Sequence, residues 1–343
     1  MKSTRMTGGG GRGVQEGSKQ KSLSKNPVVP LVVIVLGGLL FVNNSKMVSL
    51  MQKGGQQFEA ATHLNYELLA RQRSELVCGN PRGAEWSHLC NGKFLEAVNN
   101  DLMMGKDIYL VQIGAHVSFE KNDPFAEGAA KLLFNLTKEE KKRFHWIFVE
   151  PSPPNYKRLV QNLQNRSDWC DLSSINAAVV PDGTPDASSM IFHSFSPDID
   201  PETGYDSRSG KTFPHWVTQI SGLTMGPLLF NKGLFERKGL KLEDYVVDSN
   251  VTVYPYSELM NIATGGQAPH LVLIDTEGFD CNIILGISKT SNYLPHYLIF
   301  EKHQCGGMKQ PTFDYLRELG YGFVRDIKCT QNAIAIRNLS VSL

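Results

Sequence analysis

Glycine and acidic residues stand directly after apolar runs that have the length of buried strands. Gly114-Ala115 follow one run, Glu150 closes the next, and Asp275 and Glu301 close two later ones. In an open parallel sheet the carboxyl ends of the strands share one edge, and ligands bind there. Ionised carboxylates are rarely buried without a partner or a function, so their convergence at one edge indicates a ligand site.

The same positions suit the recognition of a nucleoside. Small residues at Gly114-Ala115 let a ligand approach the backbone, although a tight turn alone would also explain the glycine. Glu150 stands where open sheets place an acid that accepts hydrogen bonds from ribose hydroxyls. Asn176-Ala177 fit the edge of an adenine or, equally, a core contact. The candidate cofactor-binding residues are Gln112, Gly114, Ala115, Glu150, Asn176, Ala177, Asp275 and Glu277.

Seven apolar runs over residues 105–343 predict an α/β domain. The runs are IYLVQI (108–113), HWIFVE (145–150), SINAAVV (174–180), HLVLID (270–275), HYLIFE (296–301), GFVRDI (322–327) and NAIAIR (332–337). Helix-like stretches separate the first five, which predicts a parallel sheet covered on both faces. Only residues 328–331 separate the last two, so these form an antiparallel hairpin. We therefore expect a Rossmann-like seven-stranded sheet with a C-terminal hairpin and an insertion at about 181–250 over its carboxyl edge.

The N-terminal region predicts a membrane anchor. Residues 27–42 carry no charge, and 27–43 are predicted to form a transmembrane signal-anchor, which is short for a typical bilayer. A cleaved signal peptide is the alternative. Residues 1–26 are polar and basic, which predicts a disordered cytosolic tail with the remainder in the lumen. The chain is thus expected to be a type II membrane protein of the endoplasmic reticulum or Golgi. Residues 44–104 form a stem and pre-domain segment that offers a surface for self-association.

Charge and cysteine content agree with a lumenal enzyme. The tail holds six Lys and Arg against Glu16 and is +5, so a total of +1 leaves the remainder at −4. That remainder lacks the basic face that nucleic acid binding requires. All six cysteines follow the predicted anchor, where disulfides persist, but their pairing stays open and Cys281 and Cys305 are equally well read as small buried hydrophobes. Glycosylation sequons begin at Asn43, Asn135, Asn165, Asn250 and Asn338.

Several segments together resemble the FkbM-type methyltransferases. They are VQIGAHVSFEKNDP (111–124), FVEPSPPNYKRLVQNL (148–163), NAAV (176–179) and LVLIDTEGFDCNIILGI (271–287), followed by LIFEKH and Gly320-Tyr321. The most specific part is D-x-E-G-x-D, here Asp275, Glu277, Gly278 and Asp280. The resemblance implies the seven-stranded methyltransferase sheet, S-adenosylmethionine as methyl donor and a hydroxyl acceptor. His116 and Ser118 depart from the family's G-A-N-x-G, in which a second glycine is common.

Methyl transfer to a hydroxyl is helped by alignment and by a base that removes the proton. His303 is the expected base because an imidazole exchanges protons near neutral pH and the end of the fifth strand faces the transfer zone. Glu301 or Asp275 would take the proton instead or orient His303. A surface role is the alternative for His303 and the expected one for His116, His193 and His215. The acceptor is a small molecule, a lipid or a glycan.

A lumenal glycosyltransferase is the main alternative function. An anchor with a stem is a usual layout for such enzymes, and Asp275-x-Glu277 imitates a metal-binding D-x-D. Gly114 with Glu150 favours the methyltransferase instead, because together they fit a ribose-reading site that needs no diphosphate or metal. A scaffold that binds the cofactor without turnover is the third possibility.

Overall fold

The protein, described here by a computed structural model, has a mixed α/β fold. The structure describes residues 94–119, 133, 136–185, 188–324 and 331–337. The predicted tail, the predicted transmembrane segment, the stem up to residue 93, three cysteines and three sequons lie outside these ranges. Within them, no helix is long and apolar enough to span a bilayer.

Eleven strands and eight α-helices make up the described residues. The strands are β1 (Ile108–Ile113), β2 (Phe144–Val149), β3 (Asp171–Ile175), β4 (Ala178–Val180), β5 (Ser189–Phe195), β6 (Ser221–Gly222), β7 (Val246–Pro255), β8 (Leu271–Ile274), β9 (Tyr297–Glu301), β10 (Tyr321–Phe323) and β11 (Asn332–Arg337). The helices are α1 (Phe94–Met103), α2 (Lys138–Lys142), α3 (Pro153–Gln164), α4 (Gly226–Phe230), α5 (Lys232–Glu236), α6 (Tyr256–Thr264), α7 (Asp280–Gly286) and α8 (Lys309–Glu318). Short 3-10 helices cover His215–Gln219, Leu242–Asp244 and Gly306–Met308.

Seven strands form the main sheet in the order β3-β2-β1-β8-β9-β11-β10. β1 pairs in parallel with both β2 and β8, and β2 with β3 and β8 with β9 are parallel as well. β11 is antiparallel to β9 and to β10. The predicted seven-stranded sheet with its C-terminal hairpin is therefore confirmed. The strand order reverses beside β1, which places the ligand crevice at the carboxyl ends of β1, β2 and β8.

Both faces of the main sheet are buried, and the period of two along the strands decides which side chain packs on which face. In β1, Ile108 and Leu110 belong to one core cluster, whereas Val111 and Ile113 belong to the other. β2 alternates in the same way. Continuous apolar runs such as IYLVQI are thus explained by burial on two sides rather than one.

A second sheet of four strands, in the order β4-β7-β5-β6, follows the third strand. The expected third strand at 174–180 is wrong in its extent, because the chain leaves the main sheet after Ile175 and residues 178–180 pair with β7 instead. Asn176 separates the two pieces and is exposed. The strand expected at 322–327 ends at Phe323, and residues 325–330 lie outside the described ranges.

The segment between β4 and β7, which we call the insertion, begins and ends at one place. Val180 lies opposite Pro255 in the parallel pairing of β4 with β7. The Asp182 carboxylate accepts hydrogen bonds from the backbone N–H (2.8 Å) and hydroxyl (2.6 Å) of Ser257 at the start of α6. A Cβ at Gly286 would lie 2.2 Å from the Pro181 Cβ, so α7 packs directly on the first residue of the insertion.

A disulfide joins Cys281 in α7 to Cys305 in the segment after β9. Both cysteines are buried, but they are bonded to each other, so the alternative in which they are only small buried hydrophobes is wrong. Cys281 follows the D-x-E-G-x-D segment directly. The bond therefore connects the chain that leaves β8 with the chain that leaves β9.

Replacing Cys281 and Cys305 together by alanine is expected to lower the free energy of unfolding by about 3 kcal/mol, because the bond closes a loop between residues 24 apart in sequence. Urea unfolding followed by fluorescence measures the change. Cys170→Ala is the control, since Cys170 is buried but forms no disulfide within the described residues. An equal loss in both variants would contradict a contribution from the cross-link.

Gly114 brings the ends of β1 and β8 into backbone contact. Its φ is +79°, and a Cβ at this position would lie 1.7 Å from the carbonyl oxygen of Asp275. The Asp275 N–H donates to the carbonyl of Ile113 at 2.9 Å, and the Gly114 N–H donates to that of Val149 at 2.9 Å. Only glycine permits both the left-handed conformation and this approach.

Gly114→Ala is expected to lower the free energy of unfolding by about 3 kcal/mol or more, because strain at positive φ adds to a clash with backbone that cannot turn away. Gly183→Ala is the matched control: its φ is +80°, but nothing lies within 4 Å of the added Cβ. That variant should lose only about 1–2 kcal/mol. Thermal and urea unfolding compare the two, and equal losses would show that the Asp275 contact is unimportant.

Candidate functional site

A cavity of about 480 Å³ opens at the carboxyl edge of the main sheet. The ends of β1, β2 and β8, the segment from 177 to 179 and part of the insertion line it. Seven of the residues predicted from sequence border this cavity: Gln112, Gly114, Ala115, Glu150, Ala177, Asp275 and Glu277. Asn176, Glu301 and His303 do not line it.

The loop after β1 is held in an unusual conformation. His116, Ser118 and Phe119 have φ values of 49°, 47° and 53°. The Asn162 side chain donates to the carbonyl of Val117 at 2.8 Å, and the Phe119 ring packs against aromatic rings of the core. Ser118 thus adopts the left-handed conformation for which a second glycine would be suited, so its presence does not prevent the turn.

Glu150 organises this loop from within the cavity wall. Its side chain is 3% exposed, and its two oxygens accept hydrogen bonds at 2.8 Å from the backbone N–H groups of His116 and Ser152. Burial raises the pKa of Glu150 to about 7, against these hydrogen bonds and one from Asn155, which favour the charged form. Each carboxylate oxygen has a further acceptor site, so Glu150 can still bind ligand hydroxyls.

Asn176 and Ala177, although adjacent in sequence, have different surroundings at this edge. The Asn176 side chain donates to the carbonyl of Glu150 at 2.7 Å, which holds the chain that leaves β2. Ala177 is fully buried and lines the cavity. Of this pair, Ala177 is therefore the residue that a nucleobase could contact, while Asn176 supports the position of Glu150.

The segment after β8 is fastened by Asp280, whose buried carboxylate accepts from the N–H groups of Thr276 and Glu301, both at 2.8 Å. Burial raises the pKa of Asp280 to about 6. Glu277 has a φ of 53° and accepts a hydrogen bond from the Gln304 side chain. Asp280 was absent from the predicted site residues, although its place in D-x-E-G-x-D was the signal that could have found it.

Glu301 and His303 form a pair beside the cavity. Their side chains meet at 2.9 Å between Oε1 and Nδ1, with Glu301 14% and His303 46% exposed. Burial raises the pKa of Glu301 to about 8, and the neighbouring Glu277 and Asp280 add to that rise. Of the three predicted catalytic residues, only Asp275 reaches the cavity surface.

The insertion supplies the cavity residues that sequence reasoning missed. Phe192, His215, Gln219, Ser221, Gly222 and Leu223 come from it, and Phe279, Gln331 and Asn332 line the cavity from the main domain. His215 was expected to be a surface histidine. It is exposed, as expected, and it also borders the cavity, which no sequence pattern indicated because its neighbours there are distant in the chain.

No group of three or more His, Cys, Asp or Glu side chains is arranged to hold a metal ion in the part of the chain that the structure describes. Asp275 and Glu277 therefore lack a third ligand of these types there.

Three carboxylates of this edge, two buried and one partly buried, should make stability fall as pH rises. Their pKa values of about 7, 8 and 6 lie above the usual 4.5 for Glu150 and Glu301 and 3.8 for Asp280. Their stabilising contribution is therefore complete below about pH 4 and is lost as pH rises through 6 to 8, because the unfolded chain releases these protons first.

We expect the double variant Glu150→Gln, Glu301→Gln to show a flatter dependence of unfolding free energy on pH than the wild type between pH 5 and 8. Urea unfolding at each pH measures it. Glu139→Gln, at an exposed glutamate, should keep the wild-type slope. Parallel profiles for wild type and double variant would contradict the raised pKa values.

Comparison with solved structures yields distant similarities. Fibrillarin from Aeropyrum pernix, solved in complex with natively bound S-adenosyl-L-methionine, is 8% identical, with 67% of each chain covered and a TM-score of 0.31. Precorrin-6y C5,15-methyltransferase from Geobacter metallireducens GS-15 is 9% identical, with 70% of this chain and 86% of that chain covered and a TM-score of 0.30. At this level of similarity neither structure bears on function. No curated protein matches the sequence at a significant level.

A family model gives a direct assignment. Residues 112–323 match the methyltransferase FkbM domain. The match begins within β1, ends with β10 and covers more than half of the chain. It therefore contains the loop at Gly114, the acid Glu150 and the whole D-x-E-G-x-D segment, and this chain belongs to the FkbM methyltransferase family.

Proposed function

We propose that this protein transfers a methyl group from S-adenosylmethionine to a hydroxyl group of an acceptor in the lumen of the secretory pathway. Family membership confirms the predicted methyltransferase and its cofactor, S-adenosylmethionine. The hydroxyl acceptor, the site residues and the lumenal location are the parts that we add. The observation that best supports this proposal is that Gly114, Glu150 and Asp275 line one cavity. That cavity lies where the strand order of the main sheet reverses.

The cavity fits this cofactor in two respects. The Gly114 turn carries no side chain where β1 ends at the cavity, and a buried acid, Glu150, stands at the end of the neighbouring strand. Glu150, Asp275 and Glu277 also give the wall an acidic character, which suits the positive charge of a sulfonium. When bound, the cofactor supplies an electrophilic methyl group.

We assign separate roles in cofactor binding and methyl transfer to the residues around the cavity. Glu150 would accept hydrogen bonds from ribose hydroxyls, and Ala177 would contact the adenine, with Gln112, Ala115 and Glu277 along the same wall. Asn176 was proposed to bind the cofactor; its contact with the Glu150 carbonyl supports a positioning role instead. Asp275 is proposed to bind the methionine end, so its loss should damage cofactor binding and turnover together. The Glu301–His303 pair remains a candidate base only if the acceptor reaches outside the described cavity.

Location is proposed from the sequence of residues 1–43. The basic tail and the uncharged run favour a type II anchor with the domain in the lumen of the endoplasmic reticulum or Golgi. The disulfide between Cys281 and Cys305 supports an oxidising compartment. Two of the sequon asparagines, Asn165 and Asn250, are exposed and thus accessible to glycosylation.

Glu150→Ala is expected to weaken binding of S-adenosylmethionine about ten- to a hundredfold, because a charged hydrogen-bonding contact is lost. Isothermal calorimetry measures the affinity, and circular dichroism checks the fold. Glu139→Ala, which removes an exposed glutamate far along the chain from the loop, should leave the affinity unchanged. Unchanged affinity in a folded Glu150→Ala variant would show that Glu150 does not contact the cofactor.

Titration with both kinds of donor, followed by a transfer assay, distinguishes a methyltransferase from a glycosyltransferase. The wild-type protein should bind S-adenosylmethionine and should not respond to nucleotide sugars with manganese. Manganese-dependent sugar transfer that Asp275→Ala and Glu277→Ala abolish would instead establish the glycosyltransferase. Binding of S-adenosylmethionine with no methyl transfer to any acceptor would leave a cofactor-binding scaffold.

Topology gives a separate expectation: enzymatic removal of N-glycans should increase the protein's gel mobility. In sealed microsomes the domain should resist added protease. Asn165→Gln with Asn250→Gln should remove a corresponding part of the mobility shift. Digestion of the domain in intact vesicles, together with no glycan shift, would exclude the lumenal location.

A further inference from the structure

The insertion contributes its own set of side chains to the cavity. His215 and Gln219 lie on one 3-10 helix, Ser221 and Leu223 follow it, and Phe192 comes from β5. None of the residues proposed to hold the cofactor comes from this part of the chain. The cavity therefore has two groups of lining residues, one from the strand ends and one from the insertion.

The 3-10 helix that carries His215 is firmly packed. Val217 is completely buried and packs with Leu228 and Phe235 in the core cluster of the insertion. The Thr218 hydroxyl donates to the carbonyl of His215 at 3.2 Å. The amphipathic turn thus directs Val217 into the core while His215 and Gln219 border the cavity, so an exposed imidazole is carried on a rigid support.

The chemistry of this group of side chains suits a neutral sugar. Gln219 and Ser221 offer uncharged donors and acceptors that match sugar hydroxyls. Phe192, Leu223 and Phe279 belong to or pack on one apolar cluster and line the same cavity, which gives the C–H face of a sugar ring a surface to contact. Hydrogen-bonding side chains together with apolar side chains in one cavity fit a polyhydroxylated ring better than a plain alkyl alcohol.

We propose that the insertion residues His215, Gln219, Ser221, Phe192 and Leu223, together with Phe279 of the main domain, bind a neutral sugar as the methyl acceptor, and that His215 receives the proton of the reacting hydroxyl. This inference rests on the proposed function. It replaces His303 by His215 as the catalytic base.

In the proposed reaction the methyl group moves from sulfur to the acceptor oxygen. The acceptor oxygen forms a bond to the methyl carbon, and the bond between that carbon and sulfur breaks with its electron pair left on sulfur. The hydroxyl proton passes to an imidazole nitrogen of His215. Because His215 is exposed, the proton can then leave to solvent.

The first measurement is sugar binding without turnover. The full-length protein saturated with S-adenosylhomocysteine is titrated with neutral oligosaccharides released from glycoproteins, and contact is detected by saturation-transfer NMR. Gln219→Ala should weaken sugar binding at least severalfold while S-adenosylhomocysteine affinity by calorimetry stays unchanged. His193→Asn is the matched control, since His193 lies in the same insertion, pairs with Asp248 at 2.6 Å and does not line the cavity.

The second measurement is transfer of tritiated methyl from S-adenosylmethionine to the same oligosaccharides. His215→Ala should lower turnover by about a hundredfold or more, as loss of a general base does. Added imidazole should restore part of it, which a merely structural role for His215 would not produce. His193→Asn should remain close to wild type, and His303→Asn tests the alternative base.

Each result decides one point. Wild-type activity in His215→Ala, or a loss confined to His303→Asn, overturns the role of His215. Methyl transfer to long-chain alcohols but not to sugars overturns the acceptor class and leaves the proposed function standing. A wild-type protein that binds S-adenosylhomocysteine yet methylates neither probe overturns the proposed function itself.

Discussion

The buried carboxylate of Glu150 is the contact on which the rest of the site depends. It accepts hydrogen bonds from the backbone of the loop after β1 and from the turn after β2, and thus joins two strand ends that must hold one ligand. Burying a carboxylate costs free energy, which is why the pKa of Glu150 rises to about 7. Asp280 makes the same kind of connection between the chains that leave β8 and β9. The edge of the sheet is therefore organised by acids that are costly to bury, and such a cost is expected where function requires a defined arrangement.

The two groups of cavity residues are held in position by different kinds of contact. The strand-end residues are positioned by the parallel register of β1, β2 and β8, which the hydrophobic pattern of each strand determines. The insertion is positioned by contacts between residues far apart in sequence, such as Asp182 with Ser257. The residues proposed to bind the cofactor thus depend on the sheet itself, whereas the shape of the remaining cavity depends on how the insertion packs.

This division explains what the sequence could predict. Seven strands, the hairpin, and the convergence of Gly114, Glu150 and Asp275 follow from apolar runs and the acids that end them, because local patterns determine both. The second sheet was not predicted: β4 is three residues long, and its partner β7 lies more than sixty residues later. His215 was placed on the surface for the same reason, since nothing in PHWVTQ shows what the turn faces. His303 was favoured because it follows β9, but its side chain contacts Glu301 and does not line the cavity.

The paired ends of the insertion have a consequence for how such a domain can change. β4 and β7 lie side by side in the second sheet, so the insertion leaves the rest of the chain and rejoins it within the width of one strand pair. Everything between them can be lengthened, shortened or exchanged without moving β1, β2 or β8. Under the proposed division of the cavity, one methyl-donor site can therefore be combined with different acceptor-binding insertions, and new acceptor preferences can evolve by exchange of this single segment rather than by rebuilding the sheet.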